Sequence, residues 1–301
     1  MVSKYFPNPF EMEGEWFKGN LHAHTTQSDG SLSPLDVCKL YKAYGYDFLF
    51  ITDHRDVTPI RDLSKSFTGN FLVFKGIELD VPSSEIDTKY HIIGLNVKNK
   101  IEYRDPQKCI NEILREGGEA LIAHPYWSSL TVHDLLKIRG YLGIEIYNTH
   151  CHYSVSKGFS TVHWDDLLSR KHYVLGFAVD DAHWYKDKLP MDACGAWIMV
   201  KAPSLSEDSI MNSIRRGLFY SSTGPEFFDI KFNDEEIYVK CSPVTSISFI
   251  SRNGLGFRFN AEGNTITEIS CPLDNFEVFL RIELESSDGG KAWINPIMLS
   301  E

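Results

Sequence analysis

Short apolar runs alternate with helical patterns over the first two thirds of the chain. The runs predict strands at residues 20–23, 47–52, 71–79, 91–95, 120–123, 143–147, 174–179 and 196–200. Helix starts are predicted between them, at Ser33-Pro34, Asp105-Pro106, Thr131 and Thr161. Ser33 and Pro34 suit the N-cap and the first position of a helix. Strands that alternate with helices predict a mostly parallel α/β sheet, either open or closed into a barrel.

The pattern changes after a predicted helix over residues 206–216. Strand signals then follow one another closely, at residues 228–232, 237–241, 246–250, 256–259, 265–270, 277–285 and 291–294. Turn residues such as Asn253-Gly254 and Asp288-Gly289-Gly290 separate them. This spacing predicts a small all-β, sandwich-like domain. We therefore expect two domains, residues 1–225 and residues 226–301.

Composition excludes several classes of protein. With 43% hydrophobic and 24% charged residues, the chain has a globular composition. The net charge of −11 argues against a long nucleic acid as a partner, because such binding needs a basic surface. No apolar run reaches the roughly 18 residues of a membrane-spanning helix, and residues 1–14 do not resemble a signal peptide. Six widely spaced cysteines predict free thiols in a reducing, cytoplasmic setting.

Histidines and carboxylates lie mostly at or just after the ends of the predicted strands. Active sites of parallel α/β folds gather at that edge of the sheet. In His22-Ala23-His24 the two imidazoles lie on one face of an extended segment, which allows both to reach one cation. The remaining candidates are Asp29, His54, Glu78, His91, His124, Asp181 and His183.

Six histidines and three carboxylates without a cysteine make a ligand set that suits Zn²⁺, Mn²⁺ or Fe²⁺. Nine ligands exceed what one ion needs. We therefore expect two or three divalent metal ions that share carboxylates.

The order of these motifs resembles that of the PHP (polymerase and histidinol phosphatase) superfamily over about residues 15–200. The motifs are His22-x-His24, Ser28-Asp29-Gly30, Thr52-Asp53-His54, Gly76-Ile77-Glu78, His91, Ala123-His124-Pro125 and Asp181-x-His183. The resemblance implies a distorted (β/α)₇ barrel with a centre of two or three metals that hydrolyses phosphoesters. It implies metal ligands at His22, His24, Asp29, His54, Glu78, His91, His124, Asp181 and His183. Glu78 would be the bridging carboxylate, and some family members have a histidine where Asp29 stands.

A second resemblance concerns the start of the tail. Residues 216–225 have the sequence Arg-Gly-Leu-Phe-Tyr-Ser-Ser-Thr-Gly-Pro, which is similar to a segment in a branch whose PHP domain precedes a β-rich module. Some relatives in that branch are thought to cleave bonds other than phosphoesters.

The expected chemistry is the in-line attack on phosphorus by a hydroxide that bridges two metals, with Glu78 and Asp181 as catalytic ligands. Asp53 is a further catalytic candidate, which would orient a ligand histidine or assist proton transfer. The alternative for Asp53 is a cap at the end of a strand. Arg55 would clamp a phosphate, or would be a solvated loop arginine.

Aromatic residues and further histidines are candidates for substrate contacts. Tyr126 and Trp127 follow the His124-Pro125 motif and would stack on a flat group, unless they only pack in the core. His150 and His152 follow another predicted strand, and would contact the substrate or be ordinary loop histidines.

Three functions stay open from the sequence. The first is a metal-dependent phosphoesterase for a small phosphorylated molecule of the nucleotide or sugar phosphate class. The second is a metal-dependent hydrolase of a non-phosphate ester, amide or carbamate. The third is a noncatalytic, metal-stabilised scaffold that binds a partner.

Overall fold

The structure, a computed structural model, describes residues 4–67, 69–82, 87–101, 104–233, 235–274 and 276–299. Its strands are β1 (Lys4–Tyr5), β2 (Glu15–Asn20), β3 (Phe48–Ile51), β4 (Leu72–Pro82), β5 (Lys89–Leu95), β6 (Glu119–Ile122), β7 (Gly143–Asn148), β8 (Leu175–Val179), β9 (Trp197–Ala202), β10 (Phe219–Ser222), β11 (Phe227–Phe232), β12 (Glu236–Val244), β13 (Ser246–Ile250), β14 (Gly256–Asn260), β15 (Ile266–Pro272), β16 (Phe279–Glu285), β17 (Lys291–Ile294) and β18 (Ile297–Leu299). Its helices are α1 (Pro34–Ala43), α2 (Arg61–Ser66), α3 (Pro106–Arg115), α4 (Val132–Lys137), α5 (Thr149–Val155), α6 (Thr161–Ser169) and α7 (Glu207–Arg215).

Strands β2 to β8 lie side by side in sequence order within one large sheet. Strand β5 runs antiparallel to both of its neighbours, and the other pairs in this row are parallel. Together with the helices between the strands, this arrangement confirms the predicted α/β class and the mostly parallel row. Because β5 runs the other way, its first residues lie at the same edge of the sheet as the last residues of its parallel neighbours.

The segments that follow β2 and β8 are hydrogen-bonded to each other. Ala23 and Ala182 form a parallel bridge. The His24 amide donates to the Ala182 carbonyl at 3.0 Å, and the Asp181 amide donates to the His22 carbonyl at 2.9 Å. The first and last strands of the row therefore meet at the edge where the predicted ligands lie.

Local sequence determines where several elements begin and end. The side chains of Ser33, Asp105 and Thr131 cap α1, α3 and α4 at the predicted positions. The strand predicted over residues 20–23 is wrong, since β2 ends at Asn20. The Asn20 side chain donates to the His22 carbonyl and accepts from the Asp180 amide, and this replaces regular strand pairing.

The tail forms two facing sheets. A three-stranded sheet contains β11, β12 and β15, and the other tail strands belong to the large sheet. One apolar cluster lies between them and includes Ile230, Val239, Ile247 and Ile282. Strands occur in all seven predicted tail regions, and β18 is an additional strand.

Backbone pairing crosses the predicted domain boundary. Strand β10 pairs with β9 on one side and with β17 on the other, with Ser221 opposite Trp293. The Asn295 side chain also donates to the carbonyls of Gly217 and Phe219. The boundary at residues 225 and 226 stays a prediction, but the two parts share one sheet. No helix in the described part of the chain has the length and apolar character needed to cross a membrane.

Candidate metal centre

The structure brings the nine predicted ligands to one edge of the β2–β8 row. Seven of them line a cavity of about 340 Å³, namely Asp29, His54, Glu78, His91, His124, Asp181 and His183. The other two, His22 and His24, are fully buried and contact Glu78 and Asp181. Residues that are far apart in sequence thus form one site.

Glu78 lies between two groups of histidines. Its Oε2 atom is 3.3 Å from His22 Nε2, 3.1 Å from His24 Nε2 and 3.2 Å from His54 Nδ1. Its Oε1 atom is 2.8 Å from His91 Nδ1 and 3.4 Å from His124 Nε2. A carboxylate whose two oxygens face two separate sets of imidazoles has the arrangement of a ligand shared by two cations.

Asp181 completes the first group of ligands. Its Oδ1 atom is 3.1 Å from both His22 Nε2 and His24 Nε2, and these two nitrogens are 3.0 Å apart. This Oδ1 atom is buried and has no hydrogen-bond partner among the described residues. An unpaired buried carboxylate oxygen is costly, and a cation among these atoms would compensate for it.

A third group is more open. Asp29 lies 3.6 Å from His24 Nδ1, 3.6 Å from His54 Nε2 and 3.5 Å from His183 Nε2. The side chain of Asp29 is 55% exposed, in contrast to the buried Glu78. The longer distances and the exposure indicate a weaker cation site than the two groups around Glu78.

Glu145 fixes the orientation of the buried ligands. Its Oε1 atom is 2.7 Å from His22 Nδ1, and its Oε2 atom accepts hydrogen bonds from the His124 amide and the Asn148 side chain. Asn148 also donates to Asp181 at 3.1 Å. When His22 Nδ1 donates to Glu145, its Nε2 atom presents a lone pair to the cavity.

Asp53 has a positioning role in this geometry. Its carboxylate accepts hydrogen bonds from Thr25 and from the hydroxyls of Ser28 and Thr58. The Ser28 hydroxyl is in turn 3.4 Å from His24 Nδ1. Asp53 is not among the described residues that line the cavity, so it acts on the ligands through the loop that it holds.

Arg55 borders a larger cleft of about 870 Å³, which adjoins the cavity and shares His54, His91 and Trp127 with it. The Arg55 guanidinium forms two hydrogen bonds with Asp80, at 2.6 and 2.8 Å, and Lys89 binds the same carboxylate at 2.7 Å. The two cations hold the pKa of Asp80 well below its usual range. The predicted phosphate clamp is therefore already occupied by a carboxylate.

Two tryptophans, Trp127 and Trp184, line the cavity, and Trp127 packs against the ligand histidines. Its ring centre is 4.9 Å from that of His124 and 5.6 Å from that of His91. Tyr126 lies instead near His163, with 6.4 Å between ring centres, and is not among the described residues that line either cavity. The contact of Tyr126 with the substrate therefore stays a prediction, made for a ring that lies outside the described lining of both cavities.

His150 belongs to α5 rather than to the loop expected from the sequence. Its ring lines the cavity, 4.5 Å from the His183 ring centre, and its Nδ1 atom is 2.8 Å from Asp192. His152, on the same helix, packs near Tyr147 instead.

Two side chains at or next to the cavity, those of Asp192 and Cys151, were not expected from the sequence. Asp192 is fully buried and accepts hydrogen bonds from the amides of residues 183–185 as well as contacting His150. Asp192 does not follow a predicted strand, so the pattern of polar residues at strand ends does not indicate it. Cys151 lines the cavity and was excluded from the expected ligand set. Its position three residues after β7, at the same sheet edge, is the signal that could have revealed it.

Comparisons with known proteins support this fold. No family model matches the chain. An uncharacterized protein of Methanocaldococcus jannaschii is 29% identical over 124 residues, which cover 36% of this chain and 68% of that protein. The crystal structure of a two-domain protein from Bacteroides vulgatus, described as containing a predicted PHP-like metal-dependent phosphoesterase, matches with a TM-score of 0.51 and 15% identity. That match covers 93% of this chain and 95% of the other.

The chain has a PHP-like fold. The match extends over the tail as well, since it covers nearly all of both chains. The resemblance inferred from the motifs is thus confirmed at the level of the fold. An amidohydrolase from Chromobacterium violaceum matches less well, with a TM-score of 0.44 and 16% identity over 55% of this chain and 87% of that one.

The charges of this site are balanced by protons when no cation is bound. Burial alone would lower the pKa of His24, but the carboxylates of Asp181 and Glu78, each 3.1 Å from its Nε2 atom, raise it to about 9. Burial would raise the pKa of Glu78, yet the neighbouring His22 and the hydrogen-bonding histidines hold it well below its usual value. Burial and the charge of His24 lower the pKa of His183 to about 4, so this imidazole is neutral and able to bind a metal.

Proposed function

We propose that this chain is a metal-dependent hydrolase that cleaves a phosphoester bond in a small substrate of the nucleotide or sugar phosphate class. The observation that carries the proposal is the position of Glu78, whose two oxygens face two separate groups of histidines in a buried cavity. This arrangement suits two cations that share one carboxylate, as in hydrolases that use two metals.

The proposed architecture is a distorted (β/α)₇ barrel made of β2 to β8. The hydrogen bonds between the segments that contain Ala23 and Ala182 would close it. All the ligand groups then lie at the edge where the parallel strands end, which is where such barrels carry their active sites.

The donor set fits two or three divalent ions such as Zn²⁺, Mn²⁺ or Fe²⁺. His22, His24, Glu78 and Asp181 would hold one ion, and Glu78, His91 and His124 a second. The more open set of Asp29, His54 and His183, together with His24, is the candidate for a third. Such ions lower the pKa of a bound water towards about 7 and neutralise charge on phosphoryl oxygens.

The chain itself provides orientation and access. Glu145 and Asn148 hold His22, His124 and Asp181 in place. Trp127 lies where the cavity meets the larger cleft and is 40% exposed, so a flat group of the substrate can stack on it. The cleft, at about 870 Å³, has the size expected of a small-molecule site.

A second candidate function is the hydrolysis of an amide, carbamate or carboxylic ester. The observation that favours it is the scarcity of free cations around the site. Among the described residues that line the cavity and the cleft, Arg55 and Lys89 are the only arginine or lysine residues, and both are paired with Asp80. A substrate without a strongly anionic group would not need them.

The test combines metal analysis with a substrate panel. The purified chain, supplied with Mn²⁺ or Zn²⁺, is assayed with p-nitrophenyl phosphate, bis-p-nitrophenyl phosphate and a carbamate ester. We expect bound metal and turnover of a phosphate substrate in the wild type. Glu78→Gln should reduce both the affinity for metal and the turnover. The reduction should exceed the roughly 10–100-fold loss that is typical when a residue that only supports the ligands is changed.

Glu268→Gln is the matched control, because this carboxylate lies exposed on the tail. It should keep both metal and activity. Turnover of the carbamate ester alone would favour the second candidate, and metal binding without any turnover would favour the scaffold.

A further inference from the structure

Cys151 occupies an unusual position for a cysteine. It lies in α5, is 1% exposed, and lines the cavity that contains Glu78, His124 and Asp181. A ligand atom of His124, the Cys151 sulfur and an oxygen of Asp181 all lie within 4.8 Å of one another. These separations suit three ligands of one ion.

The surroundings of the thiol lack a partner that would explain its burial. Among the described residues, none forms a hydrogen bond with Cys151 Sγ. Among the other buried cysteines, Cys241 and Cys271 donate to main-chain carbonyls, whereas the sulfurs of Cys38 and Cys109 form no hydrogen bond with the described residues. In the same cavity as Cys151, the buried Oδ1 atom of Asp181 also lacks a hydrogen-bond partner among the described residues.

The Asn148 side chain is hydrogen-bonded to both Cys151 and Asp181. Its side-chain oxygen accepts the Cys151 amide hydrogen at 2.8 Å, while its nitrogen donates to Asp181 at 3.1 Å. One amide side chain therefore fixes both the start of α5 and the carboxylate.

We propose that Cys151 Sγ is an additional metal ligand, which joins His124 and Asp181 in binding a thiophilic divalent cation such as Zn²⁺ or Fe²⁺. The inference rests on the metal centre of the proposed function. When the sulfur–metal bond forms, the thiol proton is released to solvent and the sulfur binds as thiolate. A thiolate favours Zn²⁺ or Fe²⁺ over Mg²⁺ or Mn²⁺, so Cys151 sets the metal preference of the site.

Co²⁺ spectroscopy tests the proposal without an activity assay. The chain is depleted of metal with a chelator and titrated with Co²⁺, and its absorption is recorded in the visible and near-ultraviolet regions. We expect visible ligand-field bands from bound Co²⁺ together with a near-ultraviolet charge-transfer band from thiolate to metal. Cys151→Ser should lose the charge-transfer band and keep ligand-field bands.

Cys194→Ser is the matched control, because Cys194 is a partly buried cysteine outside the described lining of either cavity. It should keep both sets of bands. Bound Co²⁺ without a charge-transfer band in the wild type would overturn the proposal, as would a band that persists in Cys151→Ser. If Cys151→Ser does not fold, Cys151→Ala is titrated with Co²⁺ in its place, and a charge-transfer band that persists in that variant overturns the proposal.

The Co²⁺ titration distinguishes a failure of this inference from a failure of the proposed function. Absence of all Co²⁺ bands would remove the metal centre itself. Ligand-field bands without a thiolate band would remove only the role of Cys151.

Discussion

At the scale of single residues, the buried carboxylates of Glu78 and Asp181 create the need for a cation. Both are nearly inaccessible to solvent, and each faces His22 and His24 at hydrogen-bond distance. A buried charge is costly unless an opposite charge compensates for it. Protons on the histidines or metal ions in the cavity are the two ways to provide this compensation, and they compete with each other.

This competition predicts how the stability of the metal-free chain depends on pH. The pKa of His24 is about 9 in the folded chain and about 6.5 in an unfolded one. The stabilisation from the protonated ring is therefore complete below about pH 6.5 and is lost as the pH rises through about 9. The loss is of the order of 3 kcal/mol. Thermal unfolding of the chelator-treated chain between about pH 6 and pH 9.5 measures it.

The metal-loaded chain is the control for this experiment. Because bound cations replace the protons, its unfolding temperature should not fall over the same range. A metal-free chain whose stability is constant or rises between these pH values would show that His24 is not protonated as described.

Glu145 gives a second prediction at this scale. It does not belong to any of the ligand groups, but it orients His22 and holds the His124 amide. Glu145→Gln should lower the affinity for metal by about 10–100-fold while the fold is kept, because supporting contacts typically contribute that much. Competition with a chelator measures the affinity, and an unchanged value would mean that the ligands are oriented without Glu145.

At the scale of elements, the strands bring the ligands together. The parallel strands end at one edge, and β5 begins there because it is antiparallel, so that His91 lies opposite Asp80 of β4. The sequence pattern could predict this gathering, because apolar runs that end in His or Asp are visible in the chain. It could not predict the direction of β5, since alternation of apolar residues carries no information about strand direction.

The elements that were missed have a common physical cause. Strand β10 (Phe219–Ser222) is short, and α5 (Thr149–Val155) is a seven-residue helix with little periodicity to detect. Tertiary contacts stabilise both, since β10 lies between β9 and β17 and α5 is capped by Asn148. The same cause explains why the approach of Cys151 to the ligands was not predicted, because its side chain lies on α5.

The side chains next to the ligands were the least predictable part of the site. Arg55 is paired with Asp80, which is 25 positions away in sequence. The orientation of Trp127 rather than Tyr126 towards the ligands depends on one tight turn. Ligand positions follow from strand ends, whereas these contacts depend on packing that a single sequence does not reveal.

At the scale of the whole molecule, the tail completes the packing of the first part of the chain. Strand β17 pairs with β10, and the rings of Trp293 and Tyr147 stack with 6.2 Å between their centres. Arg281 is buried and forms two hydrogen bonds with Asp165 of α6. These contacts join the tail to the helices and strands around the site.

Removal of residues 226–301 should therefore prevent stable folding of the remainder. The truncation exposes the edge of β10 and the apolar cluster around Tyr220, and an uncovered sheet edge promotes aggregation. Circular dichroism and unfolding of residues 1–225 measure the outcome against the full chain. A truncated chain that stays monomeric, binds metal and unfolds at the temperature of the full chain would contradict the shared packing.

The central claim is that Glu78 lies between two bound cations. Anomalous diffraction from crystals grown with Zn²⁺ tests it most directly, because the peaks locate each ion independently of any assay. We predict one peak among His22, His24, Glu78 and Asp181, and a second among Glu78, His91 and His124. A cavity without an anomalous peak, or with Glu78 bound to no ion, would contradict the claim.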